Sequence, residues 1–154
     1  MADGESLVLA IGADHGGVGL KSLLAGEARA LGHEVLDCGT ASEASVDYPD
    51  FAHAVAAAVL DGRARFGVLV CGSGIGMSIA ANRHHGIRCA LVHDATSARL
   101  CRAHNDANVL ALGARLTGEE VAREALRIFL ATPYEGGRHD RRLAKLAPPL
   151  PSEG

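Results

Sequence analysis

Five times along the chain a short apolar run gives way to a longer stretch with helical periodicity, and this alternation constrains the fold more than any other feature. Leu7–Ile11 is the first apolar run. Leu20, Leu23, Leu24, Ala28 and Leu31 follow at the spacing that puts apolar side chains on one helix face. Glu34–Asp37 reads as a weaker strand, and Pro49 opens a helix with Phe51, Val55 and Val59 on one side. Phe66–Cys71 is continuously apolar, as a strand buried on both faces should be. The segment after Gly76 reads as a helix to about Asn82. Arg88–Val92 is a fourth strand, followed by a helix over 94–104 that Asp94 can cap, and Val109–Leu112 is a fifth. Thr117-Gly118-Glu119-Glu120 matches a capping box ahead of a helix carrying Val121, Ala125, Ile128 and Phe129. This pattern predicts an α/β fold with a parallel sheet covered on both faces. Ligands of such sheets bind beyond the carboxyl ends of the strands, here residues 12–17, 37–49, 71–76, 93–94 and 113–115.

A chain of 154 residues suits one domain, read as 1–146, with the proline-rich 147–154 expected to be a disordered tail. The net charge of −3 argues against non-specific nucleic-acid binding, and 3% aromatics without Trp offer little stacking surface for bases. There is no apolar run of membrane-spanning length. The start, Met1-Ala2-Asp3-Gly4-Glu5, is acidic where a secretory signal is basic and apolar. A cytoplasmic protein with no membrane partner is expected. Cys38, Cys71, Cys89 and Cys101 form no CxxC pair, so neither a disulfide framework nor a zinc site is expected.

Four segments can carry chemistry. Cys71-Gly72-Ser73-Gly74-Ile75-Gly76 leaves a buried strand and opens a helix. Its glycines let the backbone approach a ligand, and helix-start N–H groups bind anions and favour a thiolate over a thiol. A dinucleotide fingerprint would need glycine at Met77, a nucleophile elbow would need glycine at Cys71 and Ile75, and no Walker loop occurs. By itself Cys71 fits a packed strand-end cysteine as well as a reactive one; the glycines favour a site. Gly12-Ala13-Asp14-His15-Gly16-Gly17 follows the first strand, where Asp14 and His15 fit either sugar or phosphate binding or a plain helix cap. His104, in Ala103-His104-Asn105-Asp106-Ala107-Asn108, fits a helix C-cap on spacing alone, though histidine also exchanges protons near neutral pH. Arg115 follows the last strand. Arg138 and Arg142 stand one helical turn apart, as a phosphate clamp or as a solvated basic face. The remaining histidines, His33, His53, His84, His85, His93 and His139, lack a metal-ligand spacing, and no metal site is assigned.

Taken in order, the pieces Gly12-Ala13-Asp14-His15, Asp47-Tyr48-Pro49, Cys71-Gly72-Ser73-Gly74-Ile75-Gly76, Ala80-Ala81-Asn82, His104-Asn105-Asp106-Ala107-Asn108-Val109, Gly113-Ala114-Arg115 and Tyr134-Glu135-Gly136-Gly137-Arg138-His139 resemble ribose-5-phosphate isomerase of the B type. That family also includes galactose-6-phosphate isomerase subunits. The resemblance implies a three-layer, Rossmann-like α/β/α fold with a five-stranded parallel sheet, and an aldose–ketose isomerase using neither metal nor cofactor. It implies that Cys71 moves a proton between carbons 1 and 2, that Ser73 relays a hydroxyl proton, and that the N–H groups of Gly72, Gly74, Ile75 and Gly76 form an oxyanion hole. His104 assists ring opening with Asp14 as counterpart, Tyr48 and Asn105 bind the sugar, and His15, Arg115, Arg138 and Arg142 hold the phosphate. One branch of the family uses a glutamate base at the position of Met77 and lacks the cysteine, so this chain follows the cysteine branch. A homodimer or tetramer with shared sites is implied. The same chemistry on allose, galactose or tetrose phosphates is the nearest alternative. A non-catalytic sugar-phosphate binder or a thiol redox protein stands further off.

Overall fold

The structure, a computed structural model, describes residues 4–148 and 151. Most of the tail expected to be disordered, residues 149, 150 and 152–154, lies outside the described residues, as do residues 1–3. Five parallel strands, β1 (Val8–Ala13), β2 (Glu34–Asp37), β3 (Phe66–Cys71), β4 (Cys89–Leu91) and β5 (Val109–Gly113), form one sheet in the order β2-β1-β3-β5-β4. The helices are α1 (Val18–Ala30), α2 (Tyr48–Leu60), α3 (Ile75–Asn82), α4 (Ala95–Ala103), α5 (Glu119–Ala131) and the short α6 (Asp140–Ala144). This is the three-layer α/β/α arrangement expected.

Strand residues alternate between two cores. Leu9, Ile11, Val68, Val70, Leu110 and Leu112 pack with α1, α4 and α5, including Leu24, Leu126 and Phe129. Ala10, Leu69, Cys71, Val109 and Ala111 pack with α2 and α3, including Val55, Met77 and Ala81. A period of two on each strand therefore feeds both layers. The strand order reverses between β1 and β3, the topological switch point of an open α/β sheet. The two loops singled out by sequence, after β1 and after β3, thus lie side by side.

Two expectations are corrected. The capping box at Thr117 does not form. Gly118 is the N-cap of α5 and no side chain caps it. The N–H groups of Leu116 and Thr117 both donate to Gly113 O, so the residue is spent on closing the turn after β5. The buried Thr117 Oγ1 has no partner among the described residues, and Glu120 instead meets Arg123 at 2.6 Å. Val121, placed on the apolar face of α5, is 39% exposed, and Ala122 and Leu126 take the core positions. By contrast Asp94 caps α4 as expected, in a reciprocal box with Ser97.

Among the described residues no helix is long and apolar enough to cross a membrane.

Candidate active site

The loop after β3 is organised around Cys71, a buried residue whose Sγ accepts the Gly74 N–H at 3.1 Å. Gly74 has φ +78°, a left-handed conformation that glycine adopts without strain, and it starts α3 directly above the sulfur. Ser73 Oγ accepts the Ile75 N–H at 3.2 Å. Two of the four N–H groups expected to form an oxyanion hole are therefore engaged within the loop. Those of Gly72 and Gly76 have no hydrogen-bond partner among the described residues.

Three neighbours close on this loop. Tyr48, the first residue of α2, lays its ring on Gly76, where an added Cβ would sit 2.5 Å from the Tyr48 Cζ. The Arg115 side chain runs over Gly72, with Nε 3.5 Å from where a Cβ would stand, and the Arg115 backbone N–H donates to Gly72 O at 2.9 Å. On the far side Asp14, 9% exposed, accepts the Gly16 N–H through Oδ1 at 3.0 Å, and Gly16 abuts Gly72. His15 Nδ1 accepts the Val46 N–H at 3.1 Å, which places its ring proton on Nε2 as a donor. Asp14, His15, Tyr48, Cys71, Ser73 and Arg115 are thus gathered at the carboxyl end of the sheet.

The other four side chains are elsewhere. Cys71 pairs with Gly113, the last residue of β5, whereas His104 is the C-cap of α4 and precedes the first residue of β5. The length of β5, about 13 Å at ~3.3 Å per residue, separates the two ends. Asn105 lines a cleft of about 970 Å³ at the amino end, together with Arg88, Ala107 and Leu143. Arg138 and Arg142 are exposed on the turn and short helix that follow Gly136. That segment is tied to α4 by the Glu135 N–H, which donates to Ala103 O at 3.0 Å.

Sequence reasoning missed two residues at this second location. His139, 6% exposed, stacks on His104 with ring centroids 4.4 Å apart and 19° between planes. Glu135 stands between them, 3.9 Å from His104 Nε2 and 3.6 Å from His139 Nε2. Burial pushes the His139 imidazole below its ordinary range, helped by the charge of Arg138. Tyr134 donates to Asp140 Oδ1 at 2.7 Å and closes the turn; burial and that bond push its phenol up to about 12. The four-residue step from Glu135 to His139 and their place in the Tyr134–His139 piece were the available signals, and neither says anything of His104.

Burial pushes the Cys89 thiol up to about 12 and the Cys101 thiol up to about 11, and raises Cys38 too. Those three stay protonated at neutral pH. Cys71 alone lies under a helix start with a backbone N–H on its sulfur.

The chain belongs to the family described as Ribose/Galactose Isomerase, whose model matches residues 9–146. It is a sugar-phosphate isomerase of the B type. It is 45% identical to ribose-5-phosphate isomerase B of Escherichia coli over 135 residues, covering 88% of this chain and 91% of that protein. It is 40% identical to a D-erythrulose-4-phosphate isomerase of Pectobacterium atrosepticum over 141 residues, 91% of this chain and 93% of that protein. The ribose 5-phosphate isomerase structure from Thermotoga maritima superposes with a TM-score of 0.90 at 49% identity, covering 92% of this chain and 97% of the other. The type B enzyme of Trypanosoma brucei gives 0.89, also at 49% and the same coverage.

Proposed function

We propose that this isomerase interconverts ribose 5-phosphate and ribulose 5-phosphate, with Cys71 as the base. The observation that carries the reading is the Cys71 sulfur held by the Gly74 N–H at the start of α3, between Asp14, Tyr48 and Arg115. In the open-chain aldose the thiolate takes the proton from carbon 2. The electron pair moves into the carbonyl and gives an enediolate. The resulting thiol returns the proton to carbon 1, while Ser73 passes a proton between the two hydroxyl oxygens. The free N–H groups of Gly72 and Gly76 stabilise the enediolate oxygen, and those of Gly74 and Ile75 support it indirectly by fixing the sulfur and Ser73. His15, donating through Nε2, and Arg115 take the phosphate from one side.

His104, Asn105, Arg138 and Arg142 complete the site from a second copy of the chain. Their position at the opposite end of the sheet supports this, since no side chain reaches along β5. The functional unit is then a homodimer, or a pair of dimers, with His104 of one copy and Asp14 of the other opening the sugar ring. A tetrose phosphate is the second reading, favoured by the similarity to the D-erythrulose-4-phosphate isomerase.

The test is turnover of ribose 5-phosphate by wild type and Cys71→Ala, with chelator present. A loss of about 10²–10⁴-fold in kcat with binding retained is expected for removal of an activated base. Wild-type inactivity toward ribose 5-phosphate alongside turnover of a tetrose phosphate would move the substrate to the second reading.

A further inference from the structure

We infer that His104, Glu135 and His139 form a binding site for a divalent transition-metal ion, Zn²⁺ foremost, and that the bound ion inhibits the isomerase by drawing His104 away from the sugar. The inhibitory half rests on the proposed role of His104 in ring opening. The binding half rests on geometry alone.

One ligand atom from each of the three residues lies within 4.8 Å of the others. The measured pairs are 3.9 Å from His104 Nε2 to Glu135 Oε2 and 3.6 Å from His139 Nε2 to the same oxygen. Tetrahedral bonds of about 2.0–2.1 Å put ligand atoms roughly 3.3–3.4 Å apart, so the two carboxylate pairs need to contract by about 0.2–0.6 Å, while the two histidine nitrogens, within 4.8 Å of each other, converge only when a ring turns. Two imidazoles and one carboxylate are a zinc donor set, with a fourth position left for water.

A second observation points to a ligand. The His139 side chain is 7% exposed, and its Nε2, 3.6 Å from Glu135 Oε2, has no hydrogen-bond partner among the described residues. A buried polar nitrogen without a partner is costly, and a metal ion on it removes that cost. The backbone holds the group together: Glu135 N–H donates to Ala103 O, and His139 N–H donates to Gly136 O.

The stacking decides what moves. Rings 19° from parallel cannot both aim their in-plane lone pairs at one ion. His139 is locked by burial. The His104 side chain, 36% exposed at the end of α4, is free to turn. Metal binding therefore breaks the stack and rotates the His104 ring off the position from which it would meet the sugar.

Among the described residues two rivals for an added ion stand out. His53 Nδ1 and His84 Nε2 are 2.6 Å apart, too close for two ligands of one tetrahedral ion without opening. The other is the Cys71 sulfur.

The experiment is a Co²⁺ titration of untagged full-length protein, followed by Zn²⁺ inhibition of turnover. One Co²⁺ per chain is expected, with visible ligand-field bands and without the near-ultraviolet sulfur-to-cobalt band that Cys71 would give. Glu135→Gln and His139→Gln should each weaken uptake by at least about tenfold, with unchanged circular dichroism, and His84→Asn should not. Zn²⁺ should inhibit wild type reversibly, and the residual activity of each ligand variant should resist the same Zn²⁺ concentration. No uptake below millimolar Co²⁺, uptake indifferent to both ligand variants, or a sulfur band would overturn the site. Uptake without inhibition would overturn the switch. A protein inactive on every sugar phosphate tested would count against the functional reading, and the cobalt titration would still decide the site.

Discussion

At the carboxyl end of the sheet the polar groups are set by backbone. Gly74 donates its N–H to Cys71, Gly16 to Asp14 and Val46 to His15, and Tyr48 rests on a glycine. At the amino end the contacts run from side chain to side chain. His104 stacks on His139, Glu135 lies between them, Tyr134 meets Asp140, and Arg138 and Arg142 stand in solvent. The first arrangement leaves no room for an added atom at Gly76. The second adjusts by rotamer. Proton transfer at carbon needs fixed geometry, which strands and helix starts supply. Anchoring a phosphate across a subunit boundary tolerates adjustment. In the proposed dimer one sheet thus carries a rigid half-site and an adaptable one.

The largest effect should come from separating the halves. Cys71→Ala and His104→Ala should each be nearly inactive. Mixed after subunit exchange, they should recover about a quarter of wild-type activity, because half of a random mixture is heterodimer and each heterodimer has one intact site. Turnover of mixed against unmixed variants is the measurement. No recovery on confirmed exchange would place both halves in one chain and break the comparison.

Next in size are the arginines. Arg138→Ala and Arg142→Ala should each remove the proposed charge-assisted hydrogen bond to phosphate, worth about 1.5–3 kcal/mol. A rise in KM of about ten- to a hundredfold is expected, with little change in Tm since both are exposed. Gly76→Ala should behave in the opposite way. Its methyl would meet the Tyr48 ring at 2.5–2.6 Å, costing about 1–3 kcal/mol of stability or displacing the ring. A lower Tm or a lower kcat, with phosphate binding kept, would sharpen the contrast. A silent Gly76→Ala would show that the first half-site is looser than its backbone contacts imply.

The same division governs what the sequence discloses. The glycine loops after β1 and β3 are legible because their function depends on local backbone conformation, and conformation is written in residue type. Asp94 is legible as a cap for the same reason. The His104–His139 stack joins residues 35 positions apart across β5, α5 and the turn that follows, and no periodicity announces it. Thr117 shows the converse failure. Its local pattern was right for a cap, but the turn after β5 claimed the residue. The strand order, which sets the two loops side by side, depends on packing over the whole chain.

The smallest expected effect concerns what steadies the rigid half. The buried Lys21 Nζ donates to both carboxylate oxygens of Asp37, at 2.7 and 2.9 Å, and Gly39 N–H donates to the first of them. Gly39 O accepts the Ala13 N–H, and Thr40 N–H donates to Ala13 O. The ion pair at the end of β2 thus clips the next loop to the residue before Asp14. Partial burial works to raise the Asp37 carboxyl, but Lys21 and Gly39 outweigh it and hold the group below the ordinary aspartate range. The unfolded chain then binds more protons than the folded one as pH drops through that range, so this part of the stability is present above the ordinary aspartate value and fades as pH falls below it. Asp37→Asn should lower Tm modestly at neutral pH, since it leaves the Lys21 ammonium buried with a weaker partner. The gap between variant and wild type should narrow as acid protonates Asp37 in the wild type. Thermal melts of both proteins down to acid pH check this. If the gap stays constant, the pair is not what ties the loop to Asp14, and the rigidity of that half belongs to its backbone hydrogen bonds alone.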